Sequence, residues 1–184
     1  MVDTYHHGNL RQALLDEAIR AVRAGQADTF SLRATAKSLG ISPAAVYHHF
    51  ADKNALMNAV IRETGLLLQA RLIAAITPPP AAGEQAMRLG LAYIDFAIDE
   101  PALFVHLTST ACNESRDVQD MSLKMVADAL EVDARGQKLT ATQLQERVWA
   151  AWAVAHGFAS LALAGRIPHS EARLAFINQG HLNF

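Results

Sequence analysis

Residues 31–53, SLRATAKSLGISPAAVYHHFADK, are the stretch that most constrains what this chain can fold into. They encode a short helix, a three-residue turn, a second short helix and the start of a third. Ser31 is an N-cap for a helix over about residues 32–39. Gly40 supplies the left-handed backbone position that closes a helix without a Cβ clash. Ser42 caps the next helix, and Pro43 takes its first position, where a missing N–H is harmless. Leu32, Leu39, Ile41, Val46 and Phe50 are spaced to form a miniature core, and Ala36 is small enough to let the two helices approach. Val46 and Phe50 lie four apart and share a face. With Val46 inward, Ala44 and His48 point away, and Ala45 and Tyr47 lie on the flanks. Asp52 caps a helix that opens at Lys53. Helices of one to two turns are marginal alone in water. Two of them clamped at a fixed angle serve chiefly to present one to a groove, most often the major groove of DNA.

The residue types on the outward side fit that use. Tyr47 and Lys53 are donors suited to phosphate oxygens, and Arg33 suits a phosphate or groove edge. The methyl groups of Ala44 and Ala45 can touch a thymine methyl. The candidate contacts with a double-stranded DNA operator are Arg33, Ser42, Pro43, Ala44, Ala45, Tyr47, His48, His49 and Lys53. The plainer reading of each is a solvated side chain or a helix former. Charge adds little, since the formal net charge is −2. Residues 1–56 hold six basic against five acidic residues, a balance of +1, leaving ten against thirteen, −3, for the rest. The motif, and not the charge, carries the reading.

The remainder reads as helix throughout. Hydrophobic residues make up 51 % of the chain, which argues against disorder, and alanine and leucine dominate where strand signals would need alternation. The expected fold is all-α. A first helix runs from an Asn9 cap to about Ala24. A long helix over residues 53–76 stops at Pro78-Pro79-Pro80. Further helices are expected over 85–98, from Pro101, over about 116–131, over 142–164 and from about Ser170. The division expected is residues 1–56 as a helix-turn-helix DNA-binding domain and 57–184 as a second helical domain. Residues 148–165 carry no formal charge and reach the lower length limit of a membrane span. Their alanine content, His156, Ser160 and the lack of a second span favour a helix buried in a core or dimer interface, with no membrane partner. Cys112 is the only cysteine and no secretory leader is visible at residues 1–20, so a cytoplasmic location is expected.

No nucleophile with a partnered base, phosphate-cradling loop or paired carboxylates can be picked out, so no enzyme and no cofactor are expected. His48 and His49 are adjacent on a helix and cannot converge on one ion. His6 and His7 have no thiolate near them, and no metal site is expected. Tyr93, Phe96, Phe104, Met121, Met125, Trp149 and Trp152 are large apolar residues at helical spacing, mostly core, with a subset able to line a cavity. His106 and His156 sit in apolar sequence, as core histidines or as ligand contacts. The competing class is a helical protein-interaction adaptor that binds no DNA, with an enzyme a less favoured third.

Across about a quarter of the chain, Gly40-Ile41-Ser42, Val46-Tyr47-x-His49-Phe50, Lys53 and Leu56 resemble the DNA-binding domain of the tetracycline-repressor (TetR) family of bacterial regulators. The opening Tyr5-His6-His7-Gly8-Asn9-Leu10-Arg11 is similar to a start found in many members. The chain departs from the pattern at Ala34, Thr35 and Asn54, where the family often has an acidic residue, an isoleucine and a glutamate. Trp152-x-x-x-His156-Gly157 and Asp99-Glu100-Pro101-Ala102-Leu103-Phe104 resemble segments of one C-terminal subgroup with a Trp/His/Gly signature. The resemblance implies a ligand-responsive transcriptional regulator, usually a repressor. It also implies a homodimer joined through its last two helices, and a C-terminal cavity for a small-molecule effector. The candidate ligand contacts it points to are Tyr93, Phe96, Phe104, His106, Met121, Met125, Trp149, Trp152 and His156.

Overall fold

A computed structural model describes residues 7–81, 83–109, 112–134 and 139–179. Within them lie nine helices and no strand: α1 (His7–Arg23), α2 (Leu32–Ser38), α3 (Pro43–His49), α4 (Lys53–Ala75), α5 (Gln85–Asp99), α6 (Pro101–Ser109), α7 (Asn113–Asp133), α8 (Ala141–Leu163) and α9 (His169–Gln179). The fold is all-α. Tyr5 and His6 of the opening motif lie outside the described residues.

Local signals set most of the helix ends. Ser31 Oγ accepts from Ala34 N at 3.4 Å, Ser42 Oγ from Ala45 N at 3.2 Å and Asp52 Oδ1 from Ala55 N at 2.8 Å. Each side chain answers one of the orphan amides of a helix start. Gly40 has φ +67°. Around it Ile41 N donates to Ala36 O at 3.0 Å and Gly40 N to Lys37 O at 3.2 Å, the paired bonds of a Schellman closure. Two boundaries differ from the sequence reading. Asn9 lies inside α1, which already begins at His7. Helix α7 starts at Asn113 because Cys112 caps it: Sγ accepts from Ser115 N at 3.4 Å, and Ser115 Oγ accepts from Cys112 N at 3.2 Å. A thiol is not among the usual capping side chains, so the pattern gave no warning.

Two apolar clusters hold the helices together. Leu14, Leu15, Ala18, Leu32, Val46, Phe50, Leu56 and Val60 form the first, around α1 to α3 and the start of α4. Ile61, Leu68, Leu72, Ile94, Phe96, Phe104, Ala155, Ala159 and Phe176 form the second, around the rest of α4 and α5 to α9. Helix α4 passes from one to the other between Val60 and Ile61, both fully buried. Helix α6 does the same over one step, with Leu103 in the first cluster and Phe104 in the second. Long α4 is therefore not the sole mechanical link between the two ends. A bidentate ion pair reinforces the short α6 link: Arg23 Nε and Nη2 donate to Glu100 Oε2 and Oε1 at 2.8 and 2.6 Å. Planar guanidinium and carboxylate match in this geometry, although solvent at Arg23 weakens the pair.

Thr35 stands where an isoleucine was expected to serve the core. It is buried, and its Oγ1 donates to Ser31 O at 3.0 Å, so the hydroxyl is satisfied without water. Helix α8 keeps Val148, Ala155 and Ala159 inside but leaves Trp149 57 % exposed in the single chain. No helix among the described residues is long and apolar enough to cross a membrane.

Helices α4 and α7 meet at Gly65, where a built Cβ would lie 2.2 Å from Val118 Cγ2. Only a residue without a Cβ permits this approach. Gly65→Ala should destabilise the protein by about 1–3 kcal/mol through overpacking, seen as a lower urea midpoint. Adding Val118→Ala should recover part of that loss, and strictly additive effects would show that the two positions do not press on each other.

Candidate functional site

Helix α3 buries one side and shows the other to solvent. Val46 is fully buried and Phe50, which ends the helix, is 4 % exposed. Ser42, Pro43, Ala44, Tyr47 and His48 are exposed, as is Arg33 at the start of α2. Ala45 is partly buried against the first cluster. His49 is half-buried, its ring edge-on to His48 at 5.4 Å. The Arg11 guanidinium lies 5.2 Å from the Phe50 ring centroid, a cation–π contact that ties α1 to the end of α3. Lys53 Nζ donates to the Asp28 carbonyl at 2.6 Å, bracing the loop before α2. A seven-residue helix is thus held by its caps, the Schellman turn before it and packing against α1 and α2, with its polar side open. That geometry delivers a rigid, ridge-like surface to a groove.

At the other end, α4 to α8 line a cavity of about 160 Å³ that opens to solvent beside the exposed Gln119. Its wall consists of Leu68, Tyr93, Leu107, Thr108, Ser115, Val118, Gln119, Ser122, Trp152 and His156. Tyr93 Oη and His156 Nδ1 are 3.0 Å apart. The His156 ring stacks with Trp152 at 5.6 Å and with Phe104 at 5.8 Å, and Tyr93 meets Phe104 edge-on at 5.3 Å. Burial pushes the Tyr93 phenol well above its ordinary value, while a hydrogen bond from the Trp152 indole acts in the opposite sense. Burial also lowers the His156 pKa. Both effects keep the pair uncharged near neutral pH.

Of the expected ligand contacts, the fold brings Tyr93, Trp152 and His156 to this wall. Phe104 backs it through His156, and Phe96 is sealed in the second cluster with no exposure. Met125 packs against that cluster from α7, and Met121 is half-buried on the same helix. Trp149 faces solvent. His106 sits at the junction of the two clusters, where burial lowers its pKa against opposing effects of the Met57 backbone and the Asp28 charge. Its Nε2 is buried with no hydrogen-bond partner among the described residues. Sequence reasoning passed over Thr108, Ser115, Gln119 and Ser122. These are small or polar residues on helices, and only their position against Trp152 marks them.

A three-helix head with an exposed, rigidly capped second helix, carried on a helical body with its own cavity, defines a helix-turn-helix transcriptional regulator. Residues 14–60 match bacterial regulatory proteins of the tetR family, and residues 86–179 match the tetracyclin repressor-like C-terminal domain. The chain belongs to the tetR family. It is similar to a protein of unknown function from Rhodococcus sp. RHA1, with 28 % identity and a TM-score of 0.82 over 97 % of this chain and 96 % of that one. A bacterial regulatory protein in the tetR family from Rhodococcus RHA1 is 21 % identical, with a TM-score of 0.65 over 94 % of each chain. A chain from Saccharomonospora viridis in complex with choline is 18 % identical, with a TM-score of 0.75 over 94 % of this chain and 95 % of that one. The last two likenesses show the fold alone. No curated protein matches the chain.

The buried histidines make stability depend on pH. His106 and His156 both have folded pKa values below the ordinary 6.5. Between each folded value and 6.5 the unfolded chain binds more protons, so stability is full above about 6.5 and falls as pH drops below it. Urea midpoints measured on both sides of that value should show the decline. Replacing both histidines by glutamine should flatten it, and an unchanged profile would mean the acid sensitivity lies elsewhere.

Proposed function

We propose that this regulator is a homodimeric repressor that binds a palindromic double-stranded DNA operator and is released by a small-molecule effector. Residues 1–56 form the DNA-binding unit, and residues 57–184 form the effector-binding and dimerisation unit. The observation that carries the reading is the outward side of α3, where Pro43, Ala44, Tyr47 and His48 are exposed on a helix immobilised by Val46 and Phe50. Arg33, Ser42, Ala45, His49 and Lys53 complete the contact set. Lys53 reaches a phosphate once its ammonium leaves or shares the Asp28 carbonyl. Two such heads, one helical turn of DNA apart at about 34 Å, read successive major grooves. The protein acts in the cytoplasm, with no cofactor and no catalytic step.

Dimerisation is supported by Trp149 and Leu161 on α8 and Leu174 on α9, which are 57 %, 45 % and 60 % exposed in the single chain. Large apolar side chains left open on two neighbouring helices favour burial against a second copy. Trp152 stacked on His156, followed by Gly157, supports assignment to the Trp/His/Gly subgroup. An effector beside Tyr93 and His156 reaches the DNA-binding unit by two routes, Val118 against Gly65 of α4 and Phe104 next to Leu103 of α6. It releases DNA only in so far as it binds the non-operator conformation more tightly, and DNA must weaken its binding by the same factor.

Selection of duplexes from a random pool should return a palindrome whose affinity falls steeply with salt, which an adaptor or an enzyme would not produce. His48→Ala and Tyr47→Ala should each weaken that operator by about 1–3 kcal/mol at unchanged helicity. Wild-type affinity in both variants would remove α3 as the reading helix.

The dimer is tested separately. Leu174→Glu places a charge in the proposed twofold interface and should shift a dimer toward monomer in analytical ultracentrifugation. A wild-type protein that sediments as a monomer at micromolar concentration would rule out the assembly.

A further inference from the structure

We infer that the cavity accepts a compact, uncharged, single-ring aromatic alcohol of the phenol class, an assignment that rests on the reading of this cavity as the effector site. Three properties of the wall narrow the chemistry. The first is size. At about 160 Å³ the space is close to that of an engineered apolar cavity of about 150 Å³ that holds benzene in another protein. A single substituted ring matches that space.

The second is charge. Among the described residues no carboxylate, ammonium or guanidinium lines the cavity, and burial favours the neutral form of His156. An ion entering would lose its hydration without gaining a counterion. A carboxylate ligand finds no positive partner there, and a quaternary ammonium finds ring faces with no carboxylate beside them. The ring of His156 is stacked with both Trp152 and Phe104, which leaves Tyr93 and Trp152 as the ring surface a ligand can meet.

The third is the direction of the hydrogen bonds. Thr108 Oγ1 donates to the Phe104 carbonyl at 2.8 Å, and Ser122 Oγ donates to the Val118 carbonyl at 2.9 Å. Each hydroxyl has its single proton committed to its own helix and keeps only lone pairs for the cavity. Ser122 is 8 % exposed, so its unused acceptor capacity lies deep. A ligand that satisfies it must bring a hydrogen-bond donor, and an uncharged O–H is the smallest that fits beside the rings. Tyr93, Leu68 and Trp152 meanwhile present ring and aliphatic surface to an aromatic body. Hydroxyl at one end and ring at the other is the phenol pattern.

Calorimetric titration of the full-length protein with p-cresol, toluene, benzoate and choline tests this directly. Toluene lacks only the hydroxyl of p-cresol, benzoate carries a negative charge, and choline carries a positive one. Saturable p-cresol binding should be roughly tenfold tighter than toluene, the equivalent of one buried hydrogen bond, with no saturable heat from benzoate or choline. Ser122→Ala should collapse the preference of p-cresol over toluene toward unity, and Trp152→Ala should abolish both. If Ser122→Ala does not fold, Thr108→Val serves as the second probe of the same preference. No saturable p-cresol binding, equal affinity for toluene, or tighter binding of either ion would overturn the assignment. An operator titration separates the two readings. A protein that holds its operator but ignores p-cresol loses the ligand class alone. One that binds p-cresol without any change in operator affinity keeps the ligand class and loses the effector role.

Discussion

Helix α4 carries apolar side chains into two separate clusters, and the arrangement of the molecule follows from that continuity. Leu56 and Val60 lock its first turns into the packing of α1 to α3, while Ile61, Leu68 and Leu72 lock the later turns among α5 to α8. Fully burying a leucine or isoleucine is worth about 1.5–3 kcal/mol, so neither end of α4 can leave its cluster freely. Helix α4 therefore joins the two clusters as one continuous rod. Gly65 makes the coupling tight, because Val118 rests where a Cβ would be. Helix α6 supplies a parallel connection through the adjacent residues Leu103 and Phe104, braced by Arg23 and Glu100.

Helix α3 shows how little intrinsic stability a well-anchored element needs. Seven residues cannot sustain a helix in water. Ser42 and Pro43 make its start favourable, and Val46 and Phe50 anchor it from below. Arg11 over the Phe50 ring adds a contact from α1. Because the anchoring comes from one side, the other side remains available without weakening the fold. The departures from the family pattern at Ala34 and Thr35 leave this arrangement intact. Thr35 is buried, and its hydroxyl is satisfied by a hydrogen bond to Ser31 O.

The cavity has a different character from the surface of α3. Its wall is neutral among the described residues, and several of its polar atoms are partnered to one another or to their own helices. Tyr93 with His156, Thr108 with Phe104 O, and Ser122 with Val118 O are all close pairs. Such satisfaction lets polar residues line an interior space without a large desolvation penalty. It also restricts what a ligand can engage at Thr108 and Ser122, whose hydroxyls keep only acceptor capacity.

The helices, their N-caps at Ser31, Ser42 and Asp52, and the closure at Gly40 were legible in the sequence because each depends on residues within four positions. The same locality made the buried and exposed sides of α3 readable from the spacing of Val46 and Phe50. The cavity was not legible in this way. Trp152 and His156 announced themselves by type, but Thr108, Gln119 and Ser122 gain meaning only when α6, α7 and α8 converge around Tyr93. Trp149 and Trp152, three apart on one helix, end with one in solvent and the other at the cavity. Composition cannot tell them apart, because the direction in which a helix is rotated against its neighbours is set by long-range packing. Sequence alone determined where the chain turns and which short helix is held rigid. Tertiary structure decided which side chains share a space, since that depends on contacts between residues many positions apart.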